Sequence, residues 1–234
     1  MTSKLTRRTF LQKGLISTGS LLLLPYNNQV NFQVNWPLNQ KLGRVCRGKV
    51  EIKAKPNPES NTVKILYEDA VVIWNREVIG EPNIYRGNNR RWVETSEGYI
   101  YAPDLQPVLH EPNTPLQTLP VQNGTKGMWA EVTIPYVGVT LANGPAKSLL
   151  LKQHTDTPFY LYYSQVFWID EQRTVNCNQQ YRGTDKHGSY GDVFWCNANA
   201  FRPILQADYL PIHPNIDDKR ILINLTRQTI TCYE

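Results

Sequence analysis

Short runs of alternating apolar and polar residues recur along the chain, and this period-two pattern predicts β-strands. The clearest run is KRILINLT at residues 219–226, which a polar turn at Arg227 and Gln228 separates from a β-branched run at residues 229–233. The pattern predicts a C-terminal hairpin over residues 219–234. A lone hairpin is marginal in water, so we interpret it as the opening of a further domain. Its apolar side chains are then expected to be poorly buried.

Residues 44–108 contain several short β-rich runs that Pro, Asn and Gly separate. Short strands at this spacing predict a small closed or half-open barrel, because closure removes the exposed edges of a short antiparallel sheet. The order of the runs resembles a bacterial SH3-like (SH3b) domain. The matching segments are KAKP at residues 53–56, Ser60, DAVV at 69–72, WVE at 92–94 and GYI at 98–100. The resemblance implies an SH3b-like barrel.

The rest of the chain divides into a linker, a second β-rich stretch and a connector. Residues 109–127 are rich in proline, which prevents long strands or helices, and are interpreted as a linker. Residues 128–206 alternate again, carry many aromatic side chains and predict a second β module. Residues 207–218, with Pro211 and Pro214, predict a short rigid connector into the hairpin.

A weak internal repeat indicates that the two β modules are related. The dipeptide YR at residues 85–86 recurs at 181–182. LQPV at residues 105–108 recurs as FRPI at 201–204, at the same offset of 96 residues. A shared offset is typical of a duplicated unit, and a chance match of two short motifs is the alternative. The predicted fold is all-β: two small SH3-like barrel modules in tandem, an N-terminal signal helix and a C-terminal hairpin.

The C-terminal residues resemble a known enzyme family. KRILINLTRQTITCYE is similar to the opening hairpin of the catalytic domain of the L,D-transpeptidases, the YkuD fold. GSYGDV at residues 188–193 and RPI at 202–204 resemble stretches that precede that domain. The family acts on peptidoglycan stem peptides with a cysteine nucleophile in a Ser/Thr-His-Gly-Cys motif, which is absent from this sequence. The resemblance implies the noncatalytic portion of such an enzyme, inactive alone, and leaves enzymatic activity uncertain.

The net charge of +5 comes from the N-terminus. Four of the 25 basic residues lie within the first 13 positions, and all 20 acidic residues come from Glu51 onward, so the rest of the chain is nearly neutral. Without a basic excess in the folded part, the electrostatic basis for nucleic-acid binding is missing, and no nucleic-acid partner is expected.

The first 25 residues have the composition of an export signal. A charged stretch at residues 6–14 precedes apolar residues 15–24, which are too few for a membrane span of roughly 20 residues. The twin-arginine type of signal is indicated by Arg7, Arg8, Phe10 and Leu11. The Tat translocase is then a partner, and the chain is expected at the outer face of the cytoplasmic membrane, in the periplasm or in the cell wall. An uncleaved signal would tether it there through a linker at residues 26–43.

Export permits disulfides, and the chain has four cysteines: Cys46, Cys177, Cys196 and Cys232. We favour a Cys177–Cys196 pair, because both residues lie in the second module; buried free thiols are the alternative. Neither the cysteines nor the histidines have metal-ligand spacing, and no phosphate-binding glycine loop occurs. No metal site and no cofactor are therefore predicted.

The nearest approach to a nucleophile motif is KHGS at residues 186–189, in which Ser189 stands where the transpeptidases have a thiol. A serine there would need its own base and orienting acid. The neighbouring Gly188, Gly191 and Asp192 are turn formers, so we interpret the segment as a loop. No catalytic residue is predicted.

Binding is the remaining chemistry, because Tyr and Trp present apolar faces with polar tips that pack on sugar rings or amides. The candidate wall-binding residues are Trp74, Trp92, Tyr99, Tyr101, Tyr160, Tyr162 and Trp168. Packing in the core is the alternative for each. The sequence thus favours an exported, cell-wall-associated protein whose partner is peptidoglycan, through its glycan or its stem peptides. The alternative is a free-standing exported SH3-like protein that binds peptidoglycan or a protein partner.

Overall fold

A computed structural model describes residues 36–86, 88–122, 124–153, 158–184, 191–211 and 213–233. The signal segment and the KHGS segment lie outside these residues. Every element described below belongs to one compact unit, Pro37–Glu234. In the described part, no helix is long and apolar enough to cross a membrane.

The first module, as we define it, consists of eight short strands. They are β1 (Leu42–Val45), β2 (Lys49–Lys53), β3 (Thr62–Tyr67), β4 (Val71–Ile73), β5 (Arg76–Ile79), β6 (Arg91–Thr95), β7 (Gly98–Tyr101) and β8 (Leu105–Val108). All pairings are antiparallel and give a five-stranded sheet, β3-β2-β7-β6-β5, and a three-stranded sheet, β4-β1-β8. Strand β1 begins at Leu42, inside the predicted linker.

The core of the first module follows from strand alternation. Strand β2 alternates exposed and buried residues, which places Val50 and Ile52 inside. The core cluster also contains Val45, Trp74, Val93, Ile100, Ala102 and Leu105. In the tight β6–β7 turn Gly98 has φ +144°, and a Cβ there would lie 2.5 Å from the Lys53 carbonyl oxygen, so only glycine fits without a shift of the neighbouring strand.

The second module consists of seven strands in one antiparallel sheet. Before it come two short strands, β9 (Val121–Gln122) and β10 (Thr125–Lys126). Its strands are β11 (Met128–Val132), β12 (Tyr136–Leu141), β13 (Phe159–Tyr162), β14 (Val166–Val175), β15 (Asn178–Thr184), β16 (Val193–Asn197) and β17 (Phe201–Pro203). The strand order is β13-β12-β16-β15-β14-β11-β17, and a short helix, α1 (Leu149–Gln153), lies between β12 and β13.

Every strand pairing of the first module has a counterpart in the second. The pairs β1–β8, β2–β3, β2–β7 and β6–β7 correspond to β11–β17, β12–β13, β12–β16 and β15–β16. Strand β14 takes the places of both β4 and β5: it pairs with β11 at one end and with β15 at the other, across a bulge between Ile169 and Glu171. The same connectivity therefore occurs twice.

The repeat at residues 105–108 and 201–204 has a structural counterpart. Strand β7 leads through the 3-10 turn Ala102–Asp104 into β8, and strand β16 leads through Ala198–Ala200 into β17. The flanking residues have nearly the same backbone angles, with φ −115° at Leu105 and −118° at Phe201. The two YR dipeptides are not equivalent, because the first ends a 3-10 turn (Ile84–Arg86) and the second lies within β15.

The Pro-rich segment at residues 109–127 is hydrogen-bonded to the second module. The Glu111 N–H donates to the Thr133 carbonyl (2.9 Å), and the Asn113 N–H donates to the Asn199 carbonyl (2.7 Å). The Leu116 N–H donates to the buried Tyr181 hydroxyl (2.7 Å). These bonds satisfy backbone groups that proline-rich chain cannot pair internally.

The chain ends in the predicted hairpin, β18 (Arg220–Asn224) paired with β19 (Thr229–Tyr233). Its large apolar side chains are Ile221, Ile223, Leu225 and Ile230, with exposed fractions of 69%, 61%, 84% and 69%. The prediction of poor burial is confirmed. Strands account for nearly all regular structure among the described residues, so the all-β prediction is also confirmed.

Ending the chain at Asp218 is expected to lower the melting temperature by no more than about 2–4 °C, the shift that roughly 1 kcal/mol produces in a chain of this size. The reason is that the removed side chains are mostly exposed. Differential scanning calorimetry of both chains measures the shift, and light scattering should show less aggregation without the exposed apolar hairpin. A loss of 10 °C or more, roughly, would show that the hairpin stabilises the two modules.

Candidate functional site

The centre of the candidate site is Arg44 on β1, which is only 9% exposed. Its Nη1 lies 2.6 Å from Asp69 Oδ1, in the turn between β3 and β4. Its Nε and Nη2 donate to Gln106 Oε1 on β8, at 3.0 and 2.9 Å. Strand β1 lies between β4 and β8, so the sheet order itself brings both partners to the guanidinium.

The second module completes the environment of Arg44. The Tyr162 ring, on β13, stacks with its centroid 4.0 Å from the Arg44 guanidinium carbon. The Tyr162 hydroxyl donates to Asp69 Oδ2 (3.3 Å), and Gln106 Nε2 donates to the Tyr163 carbonyl (3.3 Å). We call Arg44, Asp69, Gln106 and Tyr162 the junction cluster. It combines a buried ion pair, a cation–π contact and hydrogen bonds between the modules.

The junction cluster changes the acidity of Tyr162. Burial and the negative charge of Asp69 raise the Tyr162 pKa to about 12, against the opposing effect of the Arg44 cation. Burial also raises the pKa of the neighbouring Tyr136, with smaller contributions from Tyr160 and Asp69. Both hydroxyls therefore stay protonated at neutral pH and are available as hydrogen-bond donors.

An open cleft of about 530 Å³ lies beside the junction cluster. One wall is residues 65–70, the end of β3 and the turn that follows; the other is Tyr136 on β12 and Tyr160 on β13. The rings of Tyr136 and Tyr160 meet edge to face, with centroids 4.9 Å apart. We call this the inter-module cleft.

The inter-module cleft combines aromatic rings with carboxylates. Tyr67 is 66% exposed, and Glu68 and Asp69 lie in the same wall. Rings of this kind pack against the C–H faces of sugars or against amides, and carboxylates accept hydrogen bonds from hydroxyl and N–H groups. The cleft is therefore suited to a neutral ligand that is rich in hydrogen-bond donors.

The seven predicted wall-binding residues fall into two groups. The buried group packs in the two cores and consists of Trp74, Trp92, Tyr101 and Trp168. Trp74 and Trp168 are core residues, whereas Trp92 and Tyr101 also line a second cleft that is described below. Tyr99 is partly exposed and its hydroxyl lies 3.5 Å from Glu94. Tyr160 lines the inter-module cleft, and Tyr162 belongs to the junction cluster.

A second cleft, of about 270 Å³, lies within the first module. We call it the β2 cleft, because Lys49, Val50, Glu51 and Lys53 line one side. The other side is formed by Pro58, Asn83, Arg86, Trp92, Tyr101 and Asp104. It differs from the inter-module cleft in its cationic side chains.

The favoured Cys177–Cys196 disulfide is not formed, and all four cysteines are free. Cys196 is buried on β16 opposite Tyr181, whereas Cys177 is exposed in the β14–β15 turn with φ +62°. Four positions of β15 separate Cys177 from Tyr181, or about 13 Å at roughly 3.3 Å per residue. A disulfide requires Cα atoms within about 7 Å. Burial raises the pKa of the Cys196 thiol, so it behaves as a small apolar core residue.

Sequence reasoning missed the residues that organise the site. Asp69 has the appearance of a solvated charge at a strand end, but it pairs with Arg44, which has no motif of its own. The sequence signal was an aspartate between two β-rich runs, because Asp is one of the residues that tolerate a positive φ; in the structure the φ of Asp69 is +67°. Within the described residues, no group of three or more His, Cys, Asp or Glu side chains could hold a metal ion.

Comparison with known proteins adds no relationship: no protein-family model, no curated protein and no solved structure matches the chain.

Tyr162→Phe is expected to weaken the loss of stability at alkaline pH. The pKa of Tyr162 is about 12 in the folded state, against a reference value of 10.0. Between these two pH values unfolding releases the Tyr162 proton, so the stability of the fold falls as the pH rises through that window. The melting temperature measured from pH 9 to about 12 should therefore fall less steeply in the variant. Tyr209→Phe, at an exposed connector residue, is the control. Identical slopes for Tyr162→Phe and the parent would contradict the assignment.

Proposed function

We propose that this chain is an exported, cell-wall-associated protein that holds peptidoglycan in the inter-module cleft. The observation that carries the proposal is the combination of Tyr67, Tyr136 and Tyr160 with the carboxylates of Glu68 and Asp69 in one open cleft. Its volume of about 530 Å³ is within the range of roughly 300–1,000 Å³ that is usual for ligand sites.

Of the two chemical parts of peptidoglycan, the glycan suits this cleft better. Sugar hydroxyls donate to the two carboxylates and to the tyrosine oxygens, while the C–H faces of the rings pack on the aromatic side chains. A stem peptide carries carboxylates, which the negative charge of Glu68 would repel, whereas the charge of Asp69 in the same wall is compensated by Arg44. We therefore assign the glycan strand to the inter-module cleft.

We further propose that both modules are SH3-like barrels and that they form the noncatalytic, positioning portion of an L,D-transpeptidase. The duplicated strand pairing and the 3-10 turn before the last strand of each module support the first part. The second part rests on the resemblance of the C-terminal hairpin and of the RPI segment to that family. A positioning role needs a fixed angle between the modules, and the junction cluster supplies contacts that would hold one.

A protein partner is the second candidate, and the exposed hairpin favours it. Strands β18 and β19 together expose Ile221, Ile223, Leu225 and Ile230. Patches of this kind mark surfaces that associate with another folded unit. In this alternative the hairpin, and not the inter-module cleft, carries the interaction.

Tyr160→Ala is expected to weaken binding to purified, protein-free cell-wall sacculi about fivefold, because one aromatic contact contributes roughly 1 kcal/mol. Co-sedimentation of the full chain with sacculi measures the affinity. Digestion of the sacculi with a glycan-cleaving enzyme should release the chain, whereas cleavage of the stem peptides from the glycan should not.

Tyr209→Ala is the matched control, because this tyrosine is exposed but lies outside the cleft. Equal weakening by both variants would indicate nonspecific adsorption. Undiminished binding of Tyr160→Ala would leave the hairpin as the better candidate, and a chain that ends at Asp218 then tests it.

Replacement of Arg7 and Arg8 by lysine is expected to retain the protein in the cytoplasm. The substitution keeps the charge of the n-region but removes the paired arginines that a twin-arginine signal needs. Fractionation of cells that express a reporter fusion measures the exported share. Unchanged export of the lysine variant would show that the signal is of another type.

A further inference from the structure

Asp104, at the base of the β2 cleft, is a buried acid with an unsatisfied oxygen. Its side chain is 2% exposed. Oδ1 accepts a hydrogen bond from the Arg86 guanidinium and lies 3.8 Å from Arg47 Nη1. Oδ2 is buried and has no hydrogen-bond partner in the described part of the chain. A buried carboxylate oxygen without a donor is unfavourable, so this position needs an explanation beyond packing.

The duplicated module shows that the fold does not need this carboxylate. Asp104 ends the 3-10 turn before β8, and the equivalent residue before β17 is Ala200, which is fully buried. The two turns have nearly the same flanking backbone angles and lead into equivalent strands. The same backbone turn therefore forms with an alanine in this position, and the fold does not require the carboxylate of Asp104.

Hydrogen bonds and a ring contact hold the surroundings of Asp104 in place. Trp92 and Tyr101 meet edge to face beneath the cleft with centroids 5.5 Å apart. The Trp92 indole donates to the Glu81 carbonyl (3.0 Å), and the Tyr101 hydroxyl donates to the Arg86 carbonyl (3.3 Å). These bonds fix the 3-10 turn that carries Arg86 against the sheet.

Two lysines from β2 line the cleft together with Arg86. Lys53 pairs with Glu51 (2.8 Å), while exposed Lys49 adds a second ammonium group to the same wall. The cleft thus presents cations beside a buried acceptor, and a ligand that matches it carries an anionic group and a hydrogen-bond donor close together.

We propose that the β2 cleft binds the carboxylate end of a short peptide, with the ligand carboxylate beside Lys49 and Arg86. The cleft side chains shift on binding and expose Asp104 Oδ2, to which the adjacent amide N–H of the ligand donates. The ligand amide N–H is the hydrogen-bond donor that Asp104 Oδ2 lacks, and Lys49 and Arg86 compensate the charge of the ligand carboxylate. A cleft of about 270 Å³ is below the usual range for drug-sized ligands, which sets the ligand at about two amino-acid residues. This site uses none of the residues of the inter-module cleft and does not depend on glycan binding there.

A simple anion site and a metal site explain the cleft less well. An anion gains nothing from Asp104, whose negative charge weakens the attraction of Arg86 for it. A metal cation needs several oxygen ligands, whereas the Asp104 carboxylate already lies beside Arg86 and Arg47, and Lys49 and Lys53 also line the cleft. Only a ligand that also donates a hydrogen bond uses both parts of the cleft.

Isothermal titration calorimetry of the full chain tests the proposal with N-acetyl-alanyl-alanine as the probe. We expect this dipeptide to bind, its C-terminal carboxamide to bind about tenfold more weakly, and acetate, which has no amide donor, to bind about tenfold more weakly as well. No binding of the dipeptide, or equal binding of the dipeptide and its carboxamide, would overturn the proposal.

Asp104→Ala separates the proposal from simple anion binding, because the two predict opposite changes. Loss of the acceptor should weaken dipeptide binding about tenfold, whereas a simple anion site would bind more tightly once the negative charge is gone. Ala200 in the duplicated turn is the reason to expect that this variant folds. Unchanged or tighter binding of the dipeptide would show that the assignment of Asp104 is wrong.

Lys49→Gln provides a second variant, at an exposed position where the substitution leaves the core intact. It should also weaken dipeptide binding about tenfold. Lys64→Gln, at an exposed lysine that pairs with Glu97 outside the cleft, is the matched control and should bind like the parent. Equal affinities of the Lys49 and Lys64 variants would overturn the proposal even if Asp104→Ala failed to fold. Sacculus binding through Tyr160 is measured separately, so either proposal can fail without the other.

Discussion

The arrangement of the two modules depends on the burial of one cation, Arg44. A guanidinium removed from water needs partners for its N–H groups, and an unpaired buried charge costs about 3–5 kcal/mol. Asp69 and Gln106 provide these partners from the first module. Both also bond to the second module, Asp69 through the Tyr162 hydroxyl and Gln106 through the Tyr163 carbonyl. Satisfying one buried charge therefore also joins the modules and sets the wall of the inter-module cleft.

The duplicated pairing separates what the fold requires from what has been added to it. Both modules keep the strand, 3-10 turn, strand sequence that ends each repeat. The modules differ in one connection. In the first module residues 80–90 join β5 to β6, whereas in the second module the tight turn of Asn176 and Cys177 joins β14 to β15. The longer connection carries Arg86, and the β2 cleft exists only where it packs on Asp104. The loop that differs between the two modules is thus the loop that forms the β2 cleft. Binding sites are often formed by loops on a shared scaffold.

The two clefts have complementary chemistry. The inter-module cleft has aromatic rings and acids, which suit the hydroxyls and apolar faces of sugars. The β2 cleft has cations and a buried acceptor, which suit a carboxylate beside an amide.

By itself, the sequence determined the class of the fold and much of its local structure. Period-two alternation predicted the strands of both modules and the hairpin, because the geometry of a strand fixes which side chains share a face. The repeat of LQPV as FRPI located the equivalent ends of the two modules. The YR repeat misled, since the same dipeptide ends a 3-10 turn in one module and lies in a strand in the other. Local sequence does not determine which of these an aromatic-basic pair adopts.

Only the tertiary structure decided which side chains are available for binding. Alternation predicts that half of the aromatic residues of a strand are buried but not which half, so Trp74, Trp92 and Trp168 were candidates until the sheets placed them in the cores. Arg44 and Asp69 are 25 positions apart along the chain, and Asp69 and Tyr162 are 93 positions apart. No sequence spacing relates these three residues. Their proximity follows from strand order and from the packing of one module on the other, which are properties of the assembled fold.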